Sequence, residues 1–242
     1  MRILVLTVLY FFIQPAFCQS SESKLEIHHL TGDFYVFKTF SVYKGIRVPA
    51  NGLYLVTSRG VVMVDSPWDT TQFQPLLDSI RFRHNKNVVM CIATHFHEDR
   101  TAGLEYYRKL GIKTYTTKQT DELSKARGMS RAEYLIKNDT TFTVGQYSFE
   151  TYYPGKGHAP DNIVIWFGKD KVLYGGCLLK STEDDTLGNL GDASVKDYPT
   201  TIQNVQRKCP NPRYVIPGHN GWSSVGSLEH TLKMAKALNE GR

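Results

Sequence analysis

Val88-Val89-Met90-Cys91-Ile92-Ala93-Thr94-His95-Phe96-His97-Glu98-Asp99-Arg100 is the stretch around which the rest of the chain is organised. An apolar run of strand length breaks into a loop that carries two imidazoles and a carboxylate within five residues. Strand ends of open sheets are where α/β proteins place their chemistry. Neutral imidazole and carboxylate both suit a borderline ion such as zinc, and alternate spacing lets the backbone turn one face of the loop toward it. The competing explanation is a polar loop that happens to hold two histidines. Only further ligands elsewhere in the chain can decide between them.

At 242 residues the chain is ample for one domain with a substantial core and too short for two large ones. Residues 1–18 set the compartment. Arg2 gives a positive start, Ile3 to Ile13 is an apolar run, and the small residues Ala16 and Cys18 precede Gln19. That run falls short of the roughly 20 helical residues that span a bilayer. It has the layout of a cleaved secretory signal, which predicts a single domain over residues 19–242, delivered to the periplasm. A lipid anchor at Cys18 is disfavoured by the bulky Phe17 before it, so no membrane attachment is expected.

Past the signal the cysteines are Cys91, Cys177 and Cys209, an odd number, so at least one thiol is free or otherwise engaged. Cys91 lies inside the apolar run and Cys209 ends an apparent helix, and both fit buried packing. Cys177 follows Gly175-Gly176 at a strand end and is positioned like His95. The net charge of +6 is scattered, without a Lys/Arg block. With no nucleic-acid motif and no interleaving of basic and aromatic residues, nucleic acid is excluded as a partner. Asn138-Asp139-Thr140 matches a glycosylation sequon, to which no function is assigned.

Working outward, Leu25–Leu30 and Phe34–Phe37 form two strands about a turn. His28 and His29 are adjacent on a strand and point to opposite faces, which suits neither joint metal binding nor joint catalysis. Residues 39–51 suggest a mobile hairpin or flap whose Tyr43, Ile46 and Val48 could line a substrate groove. Leu53–Ser58 and Gly60–Asp65 are strands, and Phe73, Leu76, Leu77 and Ile80 have the spacing of a core-facing helix. Helices are expected over Thr101–Leu110 and Thr117–Arg127. Capping-box spacing at Ser130-Arg131-Ala132-Glu133 predicts a brief third one. Strands recur at Phe142–Val144, Tyr147–Tyr153, Ile163–Phe167 and Val172–Tyr174. A helix from about Pro199, a last strand Arg213–Ile216 and a helix bearing Leu228, Leu232, Ala235 and Leu238 complete the chain. Strands then helices, twice, suggest two sheets packed face to face with helices outside.

Three later strand ends each deliver one further donor: His158 after Gly155-Lys156-Gly157, Cys177 after Gly175-Gly176, and His219 after Pro217-Gly218. Each donor follows glycine, which permits the close backbone approach a buried cluster needs. His84 at a helix end and His230 on the final helix carry no such context. Three histidines can make one tetrahedral site open to water, and Asp99, Cys177 and His219 can make a second.

These motifs, His95-x-His97-x-Asp99-Arg100, Pro-Gly-Lys-Gly-His158, Gly-Gly-Cys177-x-x-Lys180 and Pro-Gly-His219, resemble those of subclass B1 metallo-β-lactamases, from about Leu25 to the C-terminus. The wider superfamily, with its thioesterases and lactonases, typically has histidine after the aspartate and a bridging aspartate where Cys177 stands. This chain has Arg100 and Cys177. The resemblance implies a fold of α+β or α/β class, a four-layer αβ/βα sandwich of two mixed β-sheets with helices on the outer faces. It implies two Zn2+ ions, one held by His95, His97 and His158, the other by Asp99, Cys177 and His219. It further implies hydrolysis of the β-lactam amide bond by a metal-bound hydroxide, with Asp99, Lys180 and Asn189 as catalytic residues and Lys180 and Asn189 binding substrate. The expected partner is a small β-lactam, met by a monomer. A thioester or lactone hydrolase of the same fold, or a non-catalytic metal-binding protein with a closed ligand shell, are the alternatives.

Overall fold

The structure is a computed structural model that describes residues 24–241. The signal at 1–18 and Cys18 lie outside the described residues. A seven-stranded sheet runs in chain order through β1 (Leu25–Thr31), β2 (Phe34–Tyr43), β3 (Ile46–Thr57), β4 (Gly60–Val64), β5 (Val88–Ile92), β6 (Lys113–Thr117) and β7 (Tyr134–Ile136). Its first four strands pair antiparallel and its last four parallel. The second sheet contains β8 (Thr140–Val144), β9 (Tyr147–Tyr152), β10 (Val164–Phe167), β11 (Val172–Gly176) and β12 (Tyr214–Pro217), in the spatial order β12-β11-β10-β9-β8. Only β11 and β12 are parallel there. The helices are α1 (Phe73–His84), α2 (Glu98–Thr101), α3 (Leu104–Lys109), α4 (Lys118–Arg127), α5 (Tyr198–Lys208) and α6 (Ser227–Glu240).

The unbroken apolar strands are explained by the layering, because side chains alternate between faces and both faces are covered. Val62 and Val64 of β4 join Phe34, Leu53, Ile92, Phe149, Ile165 and Phe167 between the sheets. Val61 and Met63 face the other way, against Phe73, Leu76, Ile80, Leu104 and Tyr107. On the far side, Leu173 and Val215 meet Ile202, Val205, Leu228 and Leu232 of α5 and α6. The expected sandwich of two mixed sheets with outer helices is therefore the observed one. Among the described residues, no helix is long and apolar enough to cross a membrane.

One local expectation is sharpened and two change. Residues 39–51 are a regular hairpin, with β2 and β3 paired out to Tyr43–Ile46 and turned by Lys44 and Gly45, both at positive φ. The helix expected from Thr101 begins earlier, so Asp99 and Arg100 sit in the single turn of α2, and the chain re-forms as α3 after Gly103. No helix forms at Ser130–Glu133. The Ser130 hydroxyl donates to Ala102 O, Arg131 pairs with Asp121, and Glu133 N–H donates to Thr114 Oγ1, which leads the chain into β7. One turn cannot repay its nucleation cost when tertiary partners take both capping groups.

Candidate metal centre

At the ends of β4 and β5, Asp65 accepts from Thr94 N–H at 2.8 Å and from the Thr94 hydroxyl at 3.0 Å, which fixes the chain just before His95. The chain then bends through 95–97, and the rings of His95 and His97 come together with centroids 4.7 Å apart. Phe96 is buried between them, and its N–H donates to Asp161 Oδ2 at 2.9 Å. Asn162, next to Asp161, accepts from Ala159 N–H and donates to Gly155 O, shaping the loop that presents His158. β11 and β12 end side by side, delivering Cys177 and His219. Gly218 is required there, since a Cβ would lie 2.6 Å from Cys177 N and 2.7 Å from its Sγ.

These strand ends bring six donors together as two triads. His97 Nδ1 lies 3.1 Å from His95 Nε2 and 3.2 Å from His158 Nε2. Three nitrogens about 2.0–2.1 Å from one tetrahedral ion stand about 3.3 Å apart, close to these separations. In the second triad Cys177 Sγ lies 3.2 Å from His219 Nε2 and 3.3 Å from Asp99 Oδ2, and His219 Nε2 lies 3.1 Å from Asp99 Oδ2. The triads adjoin, because ligand atoms of His95, His158 and Cys177 also lie within 4.8 Å of one another.

The surroundings favour donors with lone pairs turned inward. Burial, with help from neighbouring positive groups, holds His95 and His158 well below the ordinary histidine range, so both are neutral. His219 Nδ1 lies 2.6 Å from Pro49 O, and donation there leaves Nε2 free to ligate. Burial alone would raise Asp99, but Arg100 and the His219 contact outweigh it and hold the carboxyl well below its usual range. Burial also pushes the Cys177 thiol up, so only an adjacent cation would bring it to thiolate. Two imidazole-rich or thiol-bearing triads of this spacing, buried and at neutral pH, fit a divalent ion with nitrogen and sulfur preference.

Arg100 ties the second triad to the core. Fully buried, it donates to Asp99 Oδ2 from Nε at 3.1 Å and from Nη2 at 2.8 Å, and to the carbonyls of Asn51 at 2.6 Å and Gly218 at 2.8 Å. Tyr174 OH and Asp65 Oδ2 accept from it at 3.1 and 3.4 Å, and His219 Nε2 lies 3.4 Å from Nη2. Lys180 is also buried, with no ion pair among the described residues, and burial lowers its pKa. A Cβ on Gly188 would lie 3.8 Å from its Nζ, which puts the ammonium under the segment that carries Asn189. Asn189 itself is exposed and its Oδ1 accepts from Gly191 N–H at 3.1 Å, so its side chain is not gathered with the triads.

Sequence reasoning missed the groups that orient the donors: Asp65, Asp161, Asp192 and the Pro49 carbonyl. Asp65 had a signal, an acid closing an apolar strand as His95 does. Asp192 had none. His28, His29, His84 and His230 stay outside the cluster, bonded to Glu26, Gly32 O, Tyr54 and Asp184 O respectively. Cys91 and Cys209 are buried free thiols, also outside it.

A family model described as the metallo-beta-lactamase superfamily matches residues 45–219. The metallo-beta-lactamase type 2 of Elizabethkingia meningoseptica is 46% identical over 211 residues, covering 87% of this chain and 85% of that protein. The metallo-beta-lactamase type 2 of Bacillus cereus is 38% identical over 212 residues, covering 88% and 83%. Among solved structures, metallo-beta-lactamase IND-7 has a TM-score of 0.84 at 39% identity, covering 88% of this chain and 98% of that one.

Proposed function

Because this chain belongs to the metallo-beta-lactamase superfamily, with relatives of subclass B1, we propose that it is a zinc hydrolase that opens the β-lactam ring and so confers resistance to β-lactam antibiotics. The observation that carries this is the pair of adjoining triads, one of three nitrogens and one of oxygen, sulfur and nitrogen, at spacings of 3.1 to 3.3 Å. His95, His97 and His158 would hold one zinc, and Asp99, Cys177 and His219 a second. When bound, zinc supplies a water acidified toward neutral pH and an electrophile for the lactam carbonyl.

The chain's own groups supply the rest. Arg100 keeps Asp99 ionised and aimed. Lys180 offers a buried, unpaired ammonium to the carboxylate that β-lactams share. Asn189 would help bind substrate by releasing Gly191 N–H and turning toward the lactam carbonyl. Residues 19–242 would be the mature domain, acting as a monomer in the periplasm after loss of the signal at 1–18.

The test is hydrolysis of a chromogenic cephalosporin by the purified mature chain, beside a thioester and a lactone. Cephalosporin turnover well above the other two is expected. Faster turnover of thioester or lactone would move the assignment to another branch of the superfamily.

Cys177→Ser should lower zinc toward one ion per chain, since serine is a poor zinc ligand. Cys91→Ser and Cys209→Ser should keep both ions. Elemental analysis reads this directly, and two tightly held ions in Cys177→Ser would show that the thiol is not a ligand.

Lys180→Ala should lower kcat/KM about ten- to hundredfold, the equivalent of a charge-assisted contact of about 1.5–3 kcal/mol in a partly desolvated groove. Most of the loss should fall in KM if ground and transition states share the contact. A substrate with its carboxylate esterified should lose far less. Equal losses for acid and ester would make Lys180 a structural residue.

A further inference from the structure

The geometry points to Asp192 as a positioning residue that ties the Asn189-bearing segment to the first triad, with Arg127 as its brace, so that metal loading and ordering of that segment reinforce each other. This rests on the proposed zinc site and concerns what the chain does with it.

The segment is anchored at its ends by the buried side chains of Leu187 and Val195. Between them its own hydrogen bonds are local: Gly188 N–H to Thr186 Oγ1, Gly191 N–H to Asn189 Oδ1 and Ala193 N–H to Leu190 O. Polar ties that leave it are few. Ser194 N–H donates to Gly157 O at 2.8 Å, beside His158. Ser194 also bonds onward to Asp197 and Tyr198 at the start of α5, and Asp192 reaches two other elements, with Oδ2 at 3.1 Å from His97 Nε2 and Oδ1 at 2.8 Å from Arg127 Nη2. Arg127 ends α4 and also lies over the Phe96 ring, 5.3 Å from its centroid, between the two histidines.

One carboxylate thus joins a ligand, a helix end and the segment over Lys180. With Nε2–H donated to Asp192, the His97 Nδ1 lone pair is left facing the triad, the tautomer a metal needs. A cation at Nδ1 withdraws electron density from the ring and makes Nε2–H a better donor, which tightens the tie to Asp192. Coupling between two binding events is reciprocal, so the tie that holds the segment must also raise metal affinity. Arg127 is half exposed, and its ion pair alone is of the weak surface kind. Its part is to stop the carboxylate rotating away from His97.

Zinc itself is the probe. Amide exchange across residues 188–194 is followed by mass spectrometry in the metal-free and zinc-loaded chain, and zinc affinity is measured against a competing chelator. In the unaltered protein, zinc should slow exchange in this segment. In Asp192→Ala zinc should no longer do so, and affinity for the first ion should fall about 10- to 100-fold, the usual effect of removing a ligand's outer partner. Asp192→Asn keeps an acceptor for His97 but not the ion pair, so its affinity should fall less while zinc-dependent protection of 188–194 is reduced. Arg127→Ala touches neither ligand nor substrate and should match Asp192→Asn, which keeps the test open if Asp192→Ala does not fold. Full zinc-dependent protection in Asp192→Ala or Arg127→Ala, or unchanged first-ion affinity in Asp192→Ala, would overturn the tie. All readouts omit substrate, so a coupled segment without cephalosporin turnover would sink the proposed activity and leave the tie standing.

Discussion

Dialysis against a chelator should bring cephalosporin turnover down to the rate of buffer alone, and zinc added back should restore it. The chain's own groups at the cavity are poor substitutes for a metal. Burial pushes the Cys177 thiol up and keeps His95 and His158 neutral. Asp99 is engaged by Arg100 through two hydrogen bonds. An uncharged water attacking an amide without an electrophile has lost both contributions a metal makes, the acidified nucleophile and the polarised carbonyl. Metal content by elemental analysis should track activity through removal and return. Turnover persisting at the original rate in a chain shown to be metal-free would remove the metal from the mechanism.

Arg100→Met should cost about 3–5 kcal/mol of stability in the metal-free chain, the range for taking one partner from a buried ion pair. The side chain is a cation shared by Asp99 and Asp65, and it also satisfies the carbonyls of Asn51 and Gly218. Asp65 is already raised to about 6 by burial, with Arg100 pulling the other way. Without the guanidinium Asp65 moves up further, and Asp99 loses the strongest influence that holds it down. A carboxyl with its folded pKa above the unfolded value favours the folded state at low pH, and that contribution is lost as pH rises through the folded pKa. The deficit of Arg100→Met should therefore grow from about pH 4 through pH 6 and above, as urea midpoints at several pH values will show. Binding of the second zinc should weaken with it, since Asp99 loses its aim. Arg100→Lys keeps the charge but not the planar fork and should fall between. A loss below about 1 kcal/mol at neutral pH, the scale of a surface pair, would mean that Arg100 is replaceable packing.

The donors could be read from the chain because each stands at a strand end marked by an apolar run or by glycine. His95 and His97 are two residues apart in the bend that follows β5, so their proximity is a local property. His158, Cys177 and His219 are marked by Gly157, Gly176 and Gly218, and at Gly218 the structure shows why: a Cβ would collide with Cys177. The layering was legible for the same reason. Strands such as Gly60–Val64 are apolar at every position only when both faces are covered.

What the sequence by itself determined, then, is the sandwich and the strand-end positions of the candidate donors, because periodicity and glycine placement act over a few residues. The tertiary structure alone decided how the donors are held. Asp65 reaches Thr94 across 29 positions, His97 meets Asp192 across 95, Arg100 meets the Gly218 carbonyl across 118, and His219 meets the Pro49 carbonyl across 170. The helix that capping-box spacing promised at Ser130–Glu133 fails for the same cause. Its hydroxyl and its N–H find distant partners in Ala102 and Thr114, and contacts between segments outweigh a local preference worth a fraction of a kcal/mol per residue.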